Sequence, residues 1–165
     1  MSKYQVGMYG GSFNPIHNGH LKCILKARNL CEELHLIVGV LPNRDIVDFD
    51  VKQRFMEEIF KYYQNIIVHY FVDETRDKKD YGLNKWLADS VEIKAMIGKK
   101  IDVIFCGADY KAENNPYCLC YPDSDIIYFD RTDQISSSRF RENPTKFRND
   151  VPKVVSDYFQ KIKNK

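Results

Sequence analysis

The sequence predicts an α/β fold: a Rossmann-like, doubly wound parallel sheet forming a single domain. Three observations carry this expectation. Short runs rich in Val, Ile and Leu alternate with segments of helical periodicity. Alternation of that kind implies a parallel sheet covered on both faces. A turn rich in Gly and Pro follows the first apolar run, at the end of a strand where such sheets bind their ligands.

The elements follow in order. Residues 4–10 (YQVGMYG) read as a buried strand, then the turn, then a helix over about 20–30. Residues 33–40 (ELHLIVGV) form a second strand. Val51, Phe55, Ile59 and Tyr62 recur at helical spacing after Asp50, a plausible N-cap. Residues 66–72 (IIVHYFV) are a third strand, and Leu83, Leu87, Val91 and Ala95 mark the next helix. Residues 101–109 and 125–130 are two more strands, and Pro152 opens a last helix carrying Val155 and Phe159. No repeat, low-complexity tract or linker divides the chain, so residues 1–165 are expected to form one domain.

The totals exclude several classes. With 165 residues, 44% hydrophobic and 29% charged, the chain is ordinary for a globular protein and unlike a disordered one. A net charge of +2 gives no electrostatic case for a nucleic-acid partner. No apolar stretch approaches the ~18 residues of a membrane span, so no membrane partner is expected. Cys23, Cys31, Cys106, Cys118 and Cys120 read as free thiols of a cytoplasmic protein. Cys118 and Cys120 have no second Cys/His pair nearby, and packing or surface is their expected role.

The turn itself is "GGSFNPIHNGH", residues 10–20. Gly10 and Gly11 let backbone approach a ligand, and freed amides at the helix start make an anion site. His17 and His20 can project to one side of that helix. Metal binding, phosphate binding and packing are all open to such a pair, although a catalytic zinc needs a further ligand that the sequence does not signal. The spacing matches neither G-x-G-x-x-G nor the P-loop. His35 and His69 lie inside strand patterns and read as structural. A second stretch, "QISSSRFR" (134–141), supplies hydroxyls, helix-start amides and the charges of Arg139 and Arg141. Two anion-binding segments at one edge of one sheet point to phosphate.

Here the residues resemble a family. "GSFNPIHNGH" (11–20) is similar to the (H/T)-x-G-H signature of the nucleotidyltransferase superfamily, and "ISSSRFR" (135–141) to its I-S-S-T-x-x-R element. The chain most resembles the nicotinamide mononucleotide adenylyltransferase domain of bacterial bifunctional NAD-biosynthesis regulators, through "EELHLIVG" (32–39), "KYYQNIIVHYFVDE" (61–74) and "RFRENPTKFRNDVPKVVSDYF" (139–159). "RTDQISSS" (131–138) also resembles glycerol-3-phosphate cytidylyltransferases.

The resemblance implies that a substrate phosphate attacks the ATP α-phosphorus in line and that pyrophosphate leaves with Mg²⁺ brought by ATP. The nucleophile is already an anion, so no general base is required. His17, His20 and Arg141 are implied as the catalytic set. Gly10, Gly11, Ser12, Phe13, Gly107, Asp109, Ser136, Ser137 and Ser138 would bind the nucleotide. Arg54 matches an arginine in the family's corresponding helix and would bind substrate. Trp86 has two readings, stacking on a nicotinamide ring or packing in the core. No resident metal ligands are implied, and self-association is expected because such enzymes are often oligomeric. Glycerol-3-phosphate cytidylyltransferase, phosphopantetheine adenylyltransferase and a non-catalytic nucleotide-sensing module are the other readings.

Overall fold

The computed structural model describes residues 2–74, 82–111, 115–130 and 135–163. Its five strands are β1 (Tyr4–Gly11), β2 (Cys31–Val40), β3 (Ile66–Val72), β4 (Val103–Gly107) and β5 (Asp125–Phe129). They lie in the order β3-β2-β1-β4-β5, and every pairing is parallel. The chain therefore runs outward from β1 to β3 and then returns to β1's other side. That reversal opens a crevice beyond the carboxyl ends of β1 and β4.

Among the described residues six helices cover the sheet: α1 (Asn18–Arg28), α2 (Phe49–Phe60), α3 (Leu83–Ile97), α4 (Pro116–Cys120), α5 (Ser137–Glu142) and α6 (Lys153–Lys163). Strand residues alternate between two cores. Tyr9, Leu34, Leu36, Val38 and Phe105 pack with Ile24, Phe55, Met56, Phe140 and Val155 of α1, α2, α5 and α6. Met8, Ile37, Phe71 and Ile104 pack with Ile97, Tyr117 and Cys120 of α3 and α4. The doubly wound sheet expected from the sequence is the one observed.

Four local features correct or extend the sequence reading. Asp48, not Asp50, occupies the N-cap of α2, and Tyr62 lies past the helix end, 82% exposed. Predicted strand residues 108 and 109 belong instead to a 3₁₀ turn, Ala108–Tyr110. The short α4 was not foreseen; Asn115 starts it by accepting from the Tyr117 amide at 2.9 Å. The fourth concerns α3. Its apolar stripe Leu83, Leu87, Val91 and Ala95 faces solvent, with Val91 70% exposed, while Trp86, Asp89, Ser90, Ile93 and Ile97 face the protein. The inward side is polar and aromatic because it walls a cavity. The 131–134 part of the predicted last motif lies outside the described residues.

Burial pushes the Cys31 thiol up to about 11 and the Cys106 thiol up to about 12. Both are thus held as inert thiols inside the core. Among the described residues no helix is long and apolar enough to cross a membrane.

Candidate active site

The turn after β1 is built around a reciprocal histidine cap. His17 is the N-cap of α1, and its Nδ1 accepts from the His20 amide at 3.2 Å. The Nδ1 of His20 accepts from the His17 amide, also at 3.2 Å. This is a capping box in which two imidazoles replace the usual hydroxyl and carboxylate. The rings stack with centroids 3.6 Å apart. Because each Nδ1 is an acceptor, the neutral rings carry their proton on Nε2, assigned from this network. In that tautomer the donor on each ring is its Nε2–H. Gly19 makes room for the arrangement: a Cβ there would stand 2.9 Å from His17 Cε1 and 3.0 Å from its Nδ1.

The serine-rich segment is tied to the same turn. Ser136 caps α5 by accepting from the Arg139 amide at 3.1 Å. Ser137 Oγ donates to the Pro15 carbonyl at 2.9 Å, and Arg141 Nη1 donates to the Asn14 carbonyl at 2.7 Å. Arg141 Nη2 reaches Ser138 Oγ at 3.2 Å. The two segments, more than a hundred residues apart in sequence, thus form one surface. Gly107 ends β4 beside β1, and exposed Asp109 sits in the 3₁₀ turn that follows it.

On the other side of the β1 end lies a cavity of about 500 Å³. Gly10, Gly11 and Ser12 form one wall, and Trp86, Asp89 and Ser90 of α3 form another. Tyr110, Tyr117 and Tyr121 close it, with Trp86 and Tyr117 edge to face at 5.1 Å. Burial drives the Tyr117 hydroxyl well above its ordinary range, so it stays a neutral donor or acceptor. Arg44 is the only cation among the described residues that line the cavity. Asp73 and Asp89 also line it, with Lys85 Nζ 2.7 Å from Asp89 and 3.6 Å from Asp73.

β1 and β2 approach closely here. A Cβ on Gly39 would lie 3.4 Å from the Gly11 carbonyl oxygen and 3.6 Å from Ser12 Cα, an ordinary packing distance. Beneath this crossing, Lys52 of α2 is 1% exposed and donates to the Ser12 and Gly39 carbonyls at 2.8 and 2.9 Å and to Asp45 Oδ2 at 2.7 Å.

Of the residues singled out in the sequence, the structure brings His17, His20, Ser136, Ser137, Ser138 and Arg141 to one side of the β1 turn. It places Gly10, Gly11, Ser12 and Trp86 on the cavity. Phe13 is buried at 2%, with φ +45°, and supports the His20 ring edge-on at 4.9 Å. Arg54 is not brought here; it is exposed and lines a separate groove between α2 and α6, with Tyr158 and Lys161. Sequence reading missed Arg44, Lys52, Asp73, Asp89, Tyr110 and Tyr117. Arg44 stands in a Pro-Asn-Arg-Asp turn directly after β2, a position the switch-point rule marks. Lys52 carries no sequence signal beyond its spacing with Phe55 and Met56.

The family model described as cytidylyltransferase-like matches residues 8–143. The chain belongs to this family of nucleotidyltransferases. Among its relatives, the trifunctional NAD biosynthesis/regulator protein NadR of Salmonella typhimurium is 30% identical over 93% of this chain and 40% of that protein. The phosphopantetheine adenylyltransferase of Alkaliphilus oremlandii is 39% identical over 41% of this chain and 43% of that protein. A bifunctional NMN adenylyltransferase/ADP ribose pyrophosphatase from Francisella tularensis, solved with AMP and a manganese ion, shares the fold. Its TM-score is 0.66 at 19% identity, covering 98% of this chain and half of that one. The chain thus spans about two fifths of the length of the NadR proteins it matches.

Proposed function

We propose that this nucleotidyltransferase domain joins nicotinamide mononucleotide to the adenylyl group of ATP, forming NAD and pyrophosphate. The observation that carries this reading is the cavity beside the β1 turn. It offers an aromatic wall from Trp86 and three tyrosines, the Asp73 and Asp89 carboxylates, and Arg44. A pyridinium mononucleotide is complementary to each part. The cationic ring suits the aromatic faces and the carboxylates, its amide can donate to a carboxylate, and its phosphate suits arginine. A substrate whose ring carried a carboxylate would face Asp73 and Asp89 with like charge. The relative named for NAD biosynthesis supports the same choice.

ATP would lie across the ends of β1 and β4, with its phosphates over the histidine turn. His17 and His20 offer Nε2 donors to charge growing on the transferring phosphoryl group, and Ser136, Ser137, Ser138 and Arg141 hold the departing pyrophosphate. Gly10, Gly11 and Ser12 separate the two substrates by a single layer of backbone, so the acceptor phosphate and the ATP α-phosphate meet over them. No residue need abstract a proton, since the acceptor phosphate is already anionic. Among the described residues no group of three or more His, Cys, Asp or Glu has a metal-holding arrangement. The divalent ion in this reading is that brought by the MgATP substrate.

The test is pyrophosphate release with MgATP or MgCTP against nicotinamide mononucleotide, glycerol 3-phosphate and phosphopantetheine. Release with ATP and the mononucleotide alone, with NAD formed in equal amount, is expected. Release with a different pair keeps the chemistry and replaces the substrate. ATP binding without release from any pair overturns catalysis and leaves a sensing module.

A further inference from the structure

We propose that Lys52 and Asp45 form a buried strut that sets the Ser12–Phe13 peptide and the Arg44 turn, pre-organising the anion-binding end of the site. The inference rests on the reading of the β1 turn as a phosphate site. Lys52 uses all three ammonium donors on fixed acceptors: the Ser12 carbonyl, the Gly39 carbonyl and Asp45 Oδ2. Each acceptor belongs to a different part of the site, namely the β1 turn, the end of β2 and the loop that carries Arg44. Asp45 Oδ2 also accepts from the Leu41 amide at 2.9 Å, closing the turn in which Arg44 stands. Asn14 stitches the same two loops a second time, donating to the Arg44 carbonyl at 3.0 Å and accepting from the Ile46 amide at 2.8 Å.

The geometry has a direct consequence at Phe13. In a trans peptide the carbonyl and the next N–H point in opposite directions. Lys52 holds the Ser12 carbonyl, so the Phe13 N–H points away from the ammonium. Phe13 itself has φ +45°, a backbone state that persists only where surrounding contacts over-determine it. The strut supplies one of those contacts.

A purely stabilising role fits poorly. Lys52 and Asp45 are nearly fully buried, and among the described residues Asp45 Oδ1 is buried with no hydrogen-bond partner. Well-packed apolar residues in place of a buried ion pair are often as stable or more so. Burial also pushes the Lys52 ammonium below its ordinary range, an effect that Asp45 opposes. Lys52 is thus a positioning residue: its ammonium acts through backbone and through Asp45.

The test compares the full chain with the Asp45→Asn/Lys52→Met double variant, which removes both charges together. Affinity for inorganic pyrophosphate is read by calorimetry, and thermal stability in parallel. The expected result is a loss of affinity of about tenfold or more, as displaced site groups produce, with a melting temperature within a few degrees of the parent. Unchanged affinity in the folded double variant overturns the strut alone. Failure of the parent to bind pyrophosphate overturns the phosphate-site reading itself, and the strut with it. Should the double variant not fold, Asp45→Asn alone retains the Lys52 bonds to both carbonyls while loosening the Arg44 turn. It is expected to weaken pyrophosphate binding severalfold, and wild-type affinity in that variant overturns the proposal.

Discussion

Replacing Gly19 with alanine should separate activity from stability. The new Cβ would sit 2.9 Å from His17 Cε1, inside the distance any real contact tolerates, so the imidazole must swing away. When it moves, the 3.2 Å bond from the His20 amide is lost, and the His20 ring loses its stacked neighbour at 3.6 Å. Loss of an N-cap costs about 0.5–2 kcal/mol. Against this, alanine is favoured over glycine in a helix by up to about 1 kcal/mol, and Gly19 lies within α1. The two terms nearly cancel, leaving a net change of about 1 kcal/mol or less, or roughly 2–4 °C in melting temperature for a domain of this size. Catalysis has no such offset, because the proposed His17 donor is displaced and His20 loses its stacked neighbour, and kcat should fall by tenfold or more. Pyrophosphate release and calorimetric melting on the same preparation check this. Wild-type turnover, or a loss of stability above about 3 kcal/mol, would refute the reasoning.

Three further outcomes are expected. His20→Ala should leave ATP binding largely intact while lowering kcat by about 10²-fold, as removal of a transition-state donor does; normal turnover would remove His20 from the mechanism. Trp86→Ala should raise KM for the mononucleotide about five- to thirtyfold, the equivalent of roughly 1–2 kcal/mol of ring stacking and contact, with KM for ATP unmoved. Equal effects on both substrates would return Trp86 to a packing role. Burial, followed by the neighbouring His35, holds His69 below the ordinary histidine range. The fold therefore favours the neutral ring, and this stability is complete above the unfolded value of about 6.5. It is lost as pH falls toward the lower folded value. His69→Gln should flatten the acid side of the stability curve in urea titrations, and an unaltered slope would show that another group carries it.

The sheet was legible because its strands are short, apolar and separated by helical spacing, and all five appear within a few residues of their expected limits. The histidine turn and the serine segment were legible because their residue types are unusual and their order is specific. The α3 stripe misled for a physical reason. Periodicity finds an apolar side and assumes it is buried, but this helix turns Trp86, Asp89 and Ser90 inward to wall a cavity. Its apolar side, Leu83, Leu87 and Val91, is left outside. Lys52 escaped notice for the converse reason: a lysine on an amphipathic helix reads as solvated, and only three acceptors brought together by tertiary structure keep it inside. Arg54 drew attention by its place in the helix, yet α2 directs it to the groove shared with α6.

The reciprocal cap ties the first turn of α1 to the chemistry in a way that a serine cap would not. Each imidazole closes the other's backbone donor, so the helix cannot fray from its start without dispersing both rings. Local unfolding at this end and dispersal of the proposed catalytic histidines are one event. A ligand that accepts hydrogen bonds from both Nε2–H groups would therefore draw part of its affinity from stopping that fraying.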